Sequence, residues 1–298
     1  MKTELVEKIN KTVMSFMPSG TVMPSKYVED AMYYAMSSGG KRIRPMIMYL
    51  TYKALSDNPE EEKILNRFMA AMEMIHTSSL IHDDLPALDN DSLRRGKPTV
   101  HVEFGEDVAI LAGDALLNLA YETAAVSMLD KPGDVRLERA LMVLMRKTGI
   151  TGMLGGQSAD VVMSGKKLKS DERDFIYECK TAALIEASFM AGAYLAGADD
   201  KTIELLETAG KNLGLAFQVQ DDILDIVSDA ETLGKEVGQD EKNDKNTYVA
   251  EYGMEEARKF VIEKTEEVIS ILDRTLKTDR EEAVLLKELA EELAGRNS

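Results

Sequence analysis

The chain has 298 residues, 44% of them hydrophobic and 30% charged, and 53 acidic side chains against 36 basic ones give it a net charge of −17. So acidic a chain offers no cationic surface for sequence-independent contact with nucleic acid. Cys179 is the one cysteine, which excludes an intramolecular disulfide, and no apolar run approaches the roughly 20 residues of a membrane span.

The opening Met1-Lys2-Thr3-Glu4 runs into a charged amphipathic segment and not into an apolar signal core, so the expectation is a soluble cytoplasmic protein. The 7 prolines and 20 glycines punctuate the chain without clustering, and residues 1–298 are expected to form a single domain with a sizeable core. The 18 methionines are expected to fill irregular gaps in that core.

In chain order, the first chemical signal is Gly39-Gly40-Lys41-Arg42-Ile43-Arg44-Pro45, a basic run at a helix break. Phe68 to Asp84 reads as one continuous helix on which His76 and Asp83, close to two turns apart, share a face. Pro86 lacks an amide hydrogen and clashes with a helical carbonyl of His82, so the helix is expected to end or kink there and Asp89 to return from an irregular turn toward Asp83. A second basic run, Arg94-Arg95-Gly96-Lys97-Pro98-Thr99, follows. Further on, Lys180, Leu184, Ala187 and Ala191 share one helical face, and Leu206, Ala209, Leu213 and Ala216 another.

Phe217, Asp221 and Asp225 then follow the i, i+4 rule, with Gln218 and Asp222 in the neighbouring row. Residues 228–246 are polar and aperiodic, which marks a candidate lid. Val261, Thr265, Val268 and Leu272 restore helical spacing. Breaks fall near 37–40, 57–59, 89–98, 131–133, 165–170 and 197–200, and strand signals are absent. The expected fold is all-α, with about ten or more helices packed on one another.

Two aspartate clusters carry the chemistry: Asp83-Asp84-x-x-x-x-Asp89 and Asp221-Asp222-x-x-Asp225. Carboxylates this close repel one another, and ionising them is costly unless cations are at hand. Hard oxygen donors of this kind suit Mg²⁺, which keeps several waters and takes one or two carboxylates plus substrate phosphates. The two basic runs add arginine forks and lysine charges that bind phosphate directly. Together they suggest two diphosphates, one held through metal and carboxylate and one by cationic side chains. Each basic run alone would be read as a solvated helix end; the combination is what favours phosphate.

Competing motifs fail on the sequence itself. Glu73-x-x-His76 is half of a di-iron signature, but Ser79 and Pro98 stand at that spacing before His82 and His101. Asp89-Asn90-Asp91 begins like a calcium loop, yet Arg94 and Val100 occupy its sixth and twelfth positions. Gly40-Lys41 and Gly234-Lys235 lack the Ser or Thr of a P-loop.

The set GGKRIRP at 39–45, EMIHTSSLIHDDLPALDNDSLRRGKPT at 73–99, GDALL at 113–117, Lys180-Thr181, FQVQDDILD at 217–225 and LGK at 233–235 resembles the trans-isoprenyl diphosphate synthases, also called polyprenyl synthetases. The similarity spans nearly the whole chain, and the spacing of Asp83 and Asp89 looks like the bacterial and plant short-chain type.

That resemblance implies helices around a deep central cavity, a homodimer, and head-to-tail condensation of isopentenyl diphosphate with an allylic prenyl diphosphate. It implies Mg²⁺, as three ions with substrate bound and replaceable by Mn²⁺. Asp83, Asp89 and Asp221 would ligate metal, with Asp84, Asp222 and Asp225 as ligands or supports. Lys41, Arg44, His76 and Arg95 would hold isopentenyl diphosphate, and Arg94 the allylic diphosphate. Lys180, Thr181, Phe217, Gln218 and Lys235 would line the allylic site, with Lys180, Thr181, Gln218 and Lys235 the candidate catalytic residues.

In this family the side chain five residues before the first aspartate often floors the product channel. Here it is Ser78, with Ser79 beside it, and Ala71, Met74 and Ile75 deeper, which favours geranylgeranyl over farnesyl diphosphate as product. Asn90, Ser92 and Asp244 depart from the acidic or small residues common in relatives, and Asp244 puts a phosphate role for Lys245 in doubt. A terpene cyclase would not need Lys41, Arg44 and Arg95, and a non-catalytic synthase subunit commonly loses one aspartate cluster, which this chain keeps.

Overall fold

The computed structural model describes residues 2–19, 25–56, 58, 61–233 and 247–295. Its helices are α1 (Lys2–Met14), α2 (Lys26–Ser37), α3 (Ile43–Leu55), α4 (Glu62–Asp83), α5 (Val100–Phe104), α6 (Glu106–Asp130) and α7 (Val135–Thr148). They continue with α8 (Met153–Met163), α9 (Ser170–Ile176), α10 (Ala183–Ala196), α11 (Asp200–Leu233), α12 (Tyr248–Thr275) and α13 (Glu281–Leu293). A π-helical turn, Tyr177–Ala182, joins α9 to α10. The all-α expectation holds; the six expected breaks fall between helices, whereas the boundaries between α1 and α2, α5 and α6, α7 and α8, and α12 and α13 were not among them.

Two helices, α4 and α10, form the central posts. α10 is apolar or small on nearly every side and buries Leu184, Ile185, Ala187, Phe189 and Ala191 against α3, α7 and α11, as a helix with no polar face must. α4 buries Phe68, Met69, Met72, Met74 and Ile75 and packs along α6. A buried Phe68 or Phe189 contributes about 2–3 kcal/mol relative to exposure. Many of the methionines, among them Met36, Met46, Met48, Met69, Met72 and Met74, are indeed core residues. The stripe Leu206, Ala209, Leu213 and Ala216 on α11 is buried, as is Val261, Thr265, Val268 and Leu272 on α12.

Four expectations are corrected. A two-residue antiparallel hairpin exists, Leu93–Arg94 pairing with Lys97–Pro98. Its loop residues Arg95 and Gly96 have φ of 54° and 76°, the pair of positive angles that a tight two-residue hairpin demands, so the turn and not any strand-forming pattern makes it. Lys180 leaves the face it was expected to share with Leu184, Ala187 and Ala191, because the π turn breaks the 3.6-residue period at that point.

Residues 228–233 of the candidate lid belong to α11, whose helix runs on to Leu233; residues 234–246, with Lys235, lie outside the described residues. Finally, α6 is apolar and long enough to cross a bilayer by composition, with a hydropathy of 1.2. It nevertheless buries Ala109, Ala112, Leu116, Ala120 and Ala124 in the protein core against its neighbours.

Close helix approach sets the site. A Cβ on Gly214 of α11 would lie 2.4 Å from the Cα of Ala182, so only glycine lets α11 touch the π turn. Gly214→Ala is therefore expected to cost about 1–3 kcal/mol. It should also part Thr181 from Gln218 one turn further along α11. Thermal unfolding checks the first effect, and wild-type stability would overturn it.

Candidate active site

The first acidic wall is the C-terminal end of α4. After Asp83 the chain turns through Leu85-Pro86, and the Asp89 amide donates back to the Asp83 carbonyl at 2.9 Å, which brings Asp89 to Asp83 as the sequence suggested. Asp84 is 3% exposed and is held by Arg94, whose Nε donates to both carboxylate oxygens at 2.7 and 2.9 Å while Nη2 lies 2.6 Å away. Asp83 receives no such hydrogen bond among the described residues. Burial, with Asp89 and Asp84 nearby, pushes its carboxyl up to about 6 against the opposing pull of Lys180.

The second wall lies on α11 and repeats this division. Asp222 is buried and accepts from the Tyr177 hydroxyl at 2.5 Å and from the Gln218 amide at 3.3 Å. Asp221 is pushed up to about 6 by burial and by Asp225 and Asp222, with Lys41 pulling the other way. Each wall thus has a lysine within electrostatic reach, Lys180 for Asp83 and Lys41 for Asp221. The π turn supplies Lys180 and Thr181: Thr181 donates to Gln218 at 2.7 Å, and Lys180 pairs with Asp160 at 2.5 Å. Phe217 packs partly buried against the core next to them.

The basic cluster forms where the loop before α3 meets α4. Arg44 and His76 face each other, Nη1 to Nε2 at 3.2 Å. Burial and four nearby arginines hold the His76 imidazole well below its ordinary value, so it stays neutral and its Nε2 accepts from Arg44. Burial also lowers Arg44, to about 10, and its Nε is a buried donor with no partner among the described residues. Arg95 donates to the Gly39 carbonyl, and its guanidinium lies beside Gly40, whose φ of 135° is a backbone conformation that side-chain-bearing residues rarely adopt. Arg42, at φ 48°, turns its guanidinium inward to Glu73 at 2.6 Å and to Asn10 at 2.9 and 3.1 Å. Arg42 and Glu73 escaped the sequence reasoning, although the rejected Glu73-x-x-His76 already put that acid one turn from His76.

A cavity of about 450 Å³ joins the first wall, the Arg44–His76 pair and the π turn. Arg44, His76, Asp83, Lys180 and Thr181 stand on its polar side, and Leu80, Leu85, Leu88, Met153, Leu154 and Leu184 on its apolar side. Ser79 lines it; Ser78, 2% exposed, does not, and its hydroxyl donates to the Ile75 carbonyl at 2.8 Å. Gln157 lines it as well, with a buried side-chain oxygen that lacks a partner. Neither Gln157 nor Tyr177 was singled out, since neither stands in a charged run. A second cavity, of about 310 Å³, lies between the π turn, Gln218 and Asp222.

A helical shell thus carries two aspartate clusters, a buried arginine cluster and two cavities that share Lys180 and Thr181. Residues 25–292 match the sequence model of the family described as polyprenyl synthetase. The chain is 40% identical over 299 residues to a geranylgeranyl diphosphate synthase of Cyanophora paradoxa, covering 99% of this chain and 95% of that one. It is 42% identical over 276 residues to a farnesyl diphosphate synthase of Escherichia coli, covering 91% and 89%. The crystal structure of a geranyltransferase from Helicobacter pylori, complexed with magnesium and isoprenyl diphosphate, superposes with a TM-score of 0.78 at 30% identity, over 99% of this chain and 97% of that one. The chain belongs to the polyprenyl synthetase family, and its activity is that of a trans-prenyltransferase.

The raised carboxyls have a consequence for stability. The folded state holds protons on Asp83 and Asp221 at about 6, above the 3.8 of an ordinary aspartate. The stability they confer is complete below the unfolded value and is lost as pH rises through the folded one. Asp83→Asn is expected to raise Tm by about 2–6 °C near pH 7.5 in chelated buffer and to change it little near pH 4. Differential scanning fluorimetry at the two pH values checks this, and a variant less stable than wild type at the higher pH would overturn it.

Proposed function

We propose that the chain condenses isopentenyl diphosphate with allylic diphosphates up to geranylgeranyl diphosphate, with farnesyl diphosphate as the shorter alternative. The observation that carries the longer product is the cavity beside Asp83, which no Phe or Tyr ring lines and whose wall carries Ser79 where a ring would stop elongation.

The residues fit divalent cations. Asp84 and Asp222 are committed to protein donors, whereas Asp83 and Asp221 keep hard oxygen donors whose ionisation is poorly compensated. Among the described residues no three acidic, His or Cys side chains are already gathered as a closed metal cage. That suits Mg²⁺, which takes few carboxylates and completes its shell with water and phosphate. Asp83 and Asp89 would hold it on one wall, Asp221 and Asp225 on the other. Bound there, it would neutralise and orient the diphosphate leaving group.

The protein's own residues do the rest. Lys180 stands between the two cavities and pairs with the allylic diphosphate, and Thr181 and Gln218 fix one another beside it. Arg94, locked on Asp84, orients that wall and meets the diphosphate only with the donors the pair leaves over. Arg44, with its unpartnered Nε, and Arg95 and Lys41 take the diphosphate of isopentenyl diphosphate, while neutral His76 holds Arg44 in place. Fixing both diphosphates brings the isopentenyl double bond to the allylic carbon, and that positioning supplies much of the acceleration. The apolar side keeps water from the allylic cation, and the departing diphosphate takes the proton that restores the alkene.

α6 leaves Ile110, Leu111, Val126 and Leu129 exposed, and we assign a homodimer to this apolar face. Sedimentation checks that assignment, and a strict monomer overturns it.

Chelation, Asp83→Ala or Asp221→Ala is expected to lower turnover at least about 100-fold with the fold intact. Full turnover in excess chelator would reject the metal-assisted scheme. Arg95→Ala should raise KM for isopentenyl diphosphate about tenfold and leave the allylic KM nearly unchanged, with Lys180→Ala the reverse. Equal effects on both would reject the two-site assignment.

Product length is read by incubating the protein with labelled isopentenyl diphosphate and each allylic primer. The expected main product is C20, and Ser79→Phe, whose ring would enter the cavity, should shorten it by one isoprene unit. A wild-type product that is solely C15 would overturn the open-channel assignment.

A further inference from the structure

Tyr177 opens the π turn and is 9% exposed, a fully formed part of the core by burial. Its hydroxyl does two things at once. It donates to Oδ2 of Asp222 at 2.5 Å and accepts the backbone N–H of Tyr248 at 3.2 Å. Asp222 in turn takes the Gln218 amide on its other oxygen, and Gln218 takes the Thr181 hydroxyl. One phenol therefore joins the π turn, the second acidic wall and the first residue of α12.

One turn earlier, Arg173 repeats the grip. Its guanidinium, 2% exposed, stacks at 5.1 Å from the rings of both Tyr248 and Tyr252 and pairs with Glu251 and Asp174. The bland account is that Tyr177 is a buried tyrosine with its hydrogen bonds satisfied. Two observations take it further. Tyr177 and Asp222 both line the cavity of about 310 Å³ that also holds Lys180, Thr181 and Gln218, so the pair sits at the site. The first wall solves the same problem differently, with cationic Arg94 on Asp84.

We propose that Tyr177 is the positioning residue of the second acidic wall, fixing the Asp222 carboxylate with a neutral donor and registering α12 against it. An arginine there would fix the carboxylate too, but would cancel its charge. A phenol holds the geometry and adds no positive charge to the wall that carries Asp221, Asp222 and Asp225. The two walls thus differ in their holders: the first is offset by one arginine, whereas the neutral Tyr177 and Gln218 donate to the central carboxylate of the second. This inference rests on the assignment of the second wall to a divalent cation and diphosphate.

The test is calorimetric binding of inorganic diphosphate over a Mg²⁺ series, with hydrogen exchange of residues 247–252 measured in parallel. In Tyr177→Phe the Mg²⁺ concentration for half-maximal diphosphate binding should rise about tenfold, and exchange at the start of α12 should quicken about tenfold. KM for isopentenyl diphosphate should stay within about twofold, because its cationic site lies on other elements. In an Asp222→Asn background, adding Tyr177→Phe should change the Mg²⁺ requirement no further, since Tyr177 acts through that carboxylate.

Should Tyr177→Phe fold poorly, Asp222→Asn with Tyr177 in place should by itself quicken exchange at Tyr248. An unchanged Mg²⁺ requirement in Tyr177→Phe, multiplicative effects in the double variant, or unchanged exchange in Asp222→Asn would each overturn the proposal. Absence of Mg²⁺-dependent diphosphate binding in the wild type would instead overturn the assignment of the wall itself.

Discussion

Like charges held close together in desolvated surroundings are the constraint on which this structure depends. Asp83 and Asp221 are each desolvated beside further carboxylates, and four arginines crowd the neutral His76. Neither group would persist on a pliable scaffold, because side chains would swing out to water and relieve the repulsion. The two central posts prevent this. α4 carries His76 and Asp83 on a helix whose other faces are packed solid, and α10 anchors the π turn that carries Lys180 and Thr181. Stability given up at the site is recovered in the apolar packing around it.

The same constraint explains why each wall contains adjacent aspartates with opposite environments. Asp84 and Asp222 are engaged by protein donors, whereas Asp83 and Asp221 have burial without a hydrogen-bond donor among the described residues. On a helix, consecutive side chains point about 100° apart, so an Asp-Asp pair can always send one carboxylate to the protein and one to the ligand. The inward member fixes the helix rotation, and the outward member inherits a defined direction. Glu73 does the same for the basic cluster: it draws Arg42 inward, and that leaves Lys41 and Arg44, its neighbours in sequence, to turn elsewhere.

Much of this was legible from residue pattern. The acidic clusters, both basic runs, the end of α4 at Pro86 and the return of Asp89 all follow from charge spacing and proline chemistry. The hairpin at Arg95-Gly96 was not, since positive φ at an arginine leaves no mark on composition. Nor was the π turn, because inserting one extra residue in a helical turn keeps the residues helical and shifts only their phase. Ser78 shows the limit of spacing arguments: counting back from Asp83 selects it, yet helix rotation gives the cavity wall to Ser79. Tyr177 and Gln157 were invisible for a plainer reason, as a polar residue in an apolar context looks the same whether its partner is a ligand, a carboxylate or nothing.

The π turn is where these threads meet. A regular α-helix through residues 177–182 would keep Lys180 in phase with Leu184 and Ala187 and send it toward the core. The wider turn lets Tyr177 reach Asp222, Thr181 reach Gln218 and Lys180 line both cavities within six residues. Its cost in helix geometry is offset by close backbone contact with α11 at Gly214, which holds the turn in place. Local departure from the α-helix is thus the means by which one segment serves the second wall, the space between the walls and the packing of α11 at the same time.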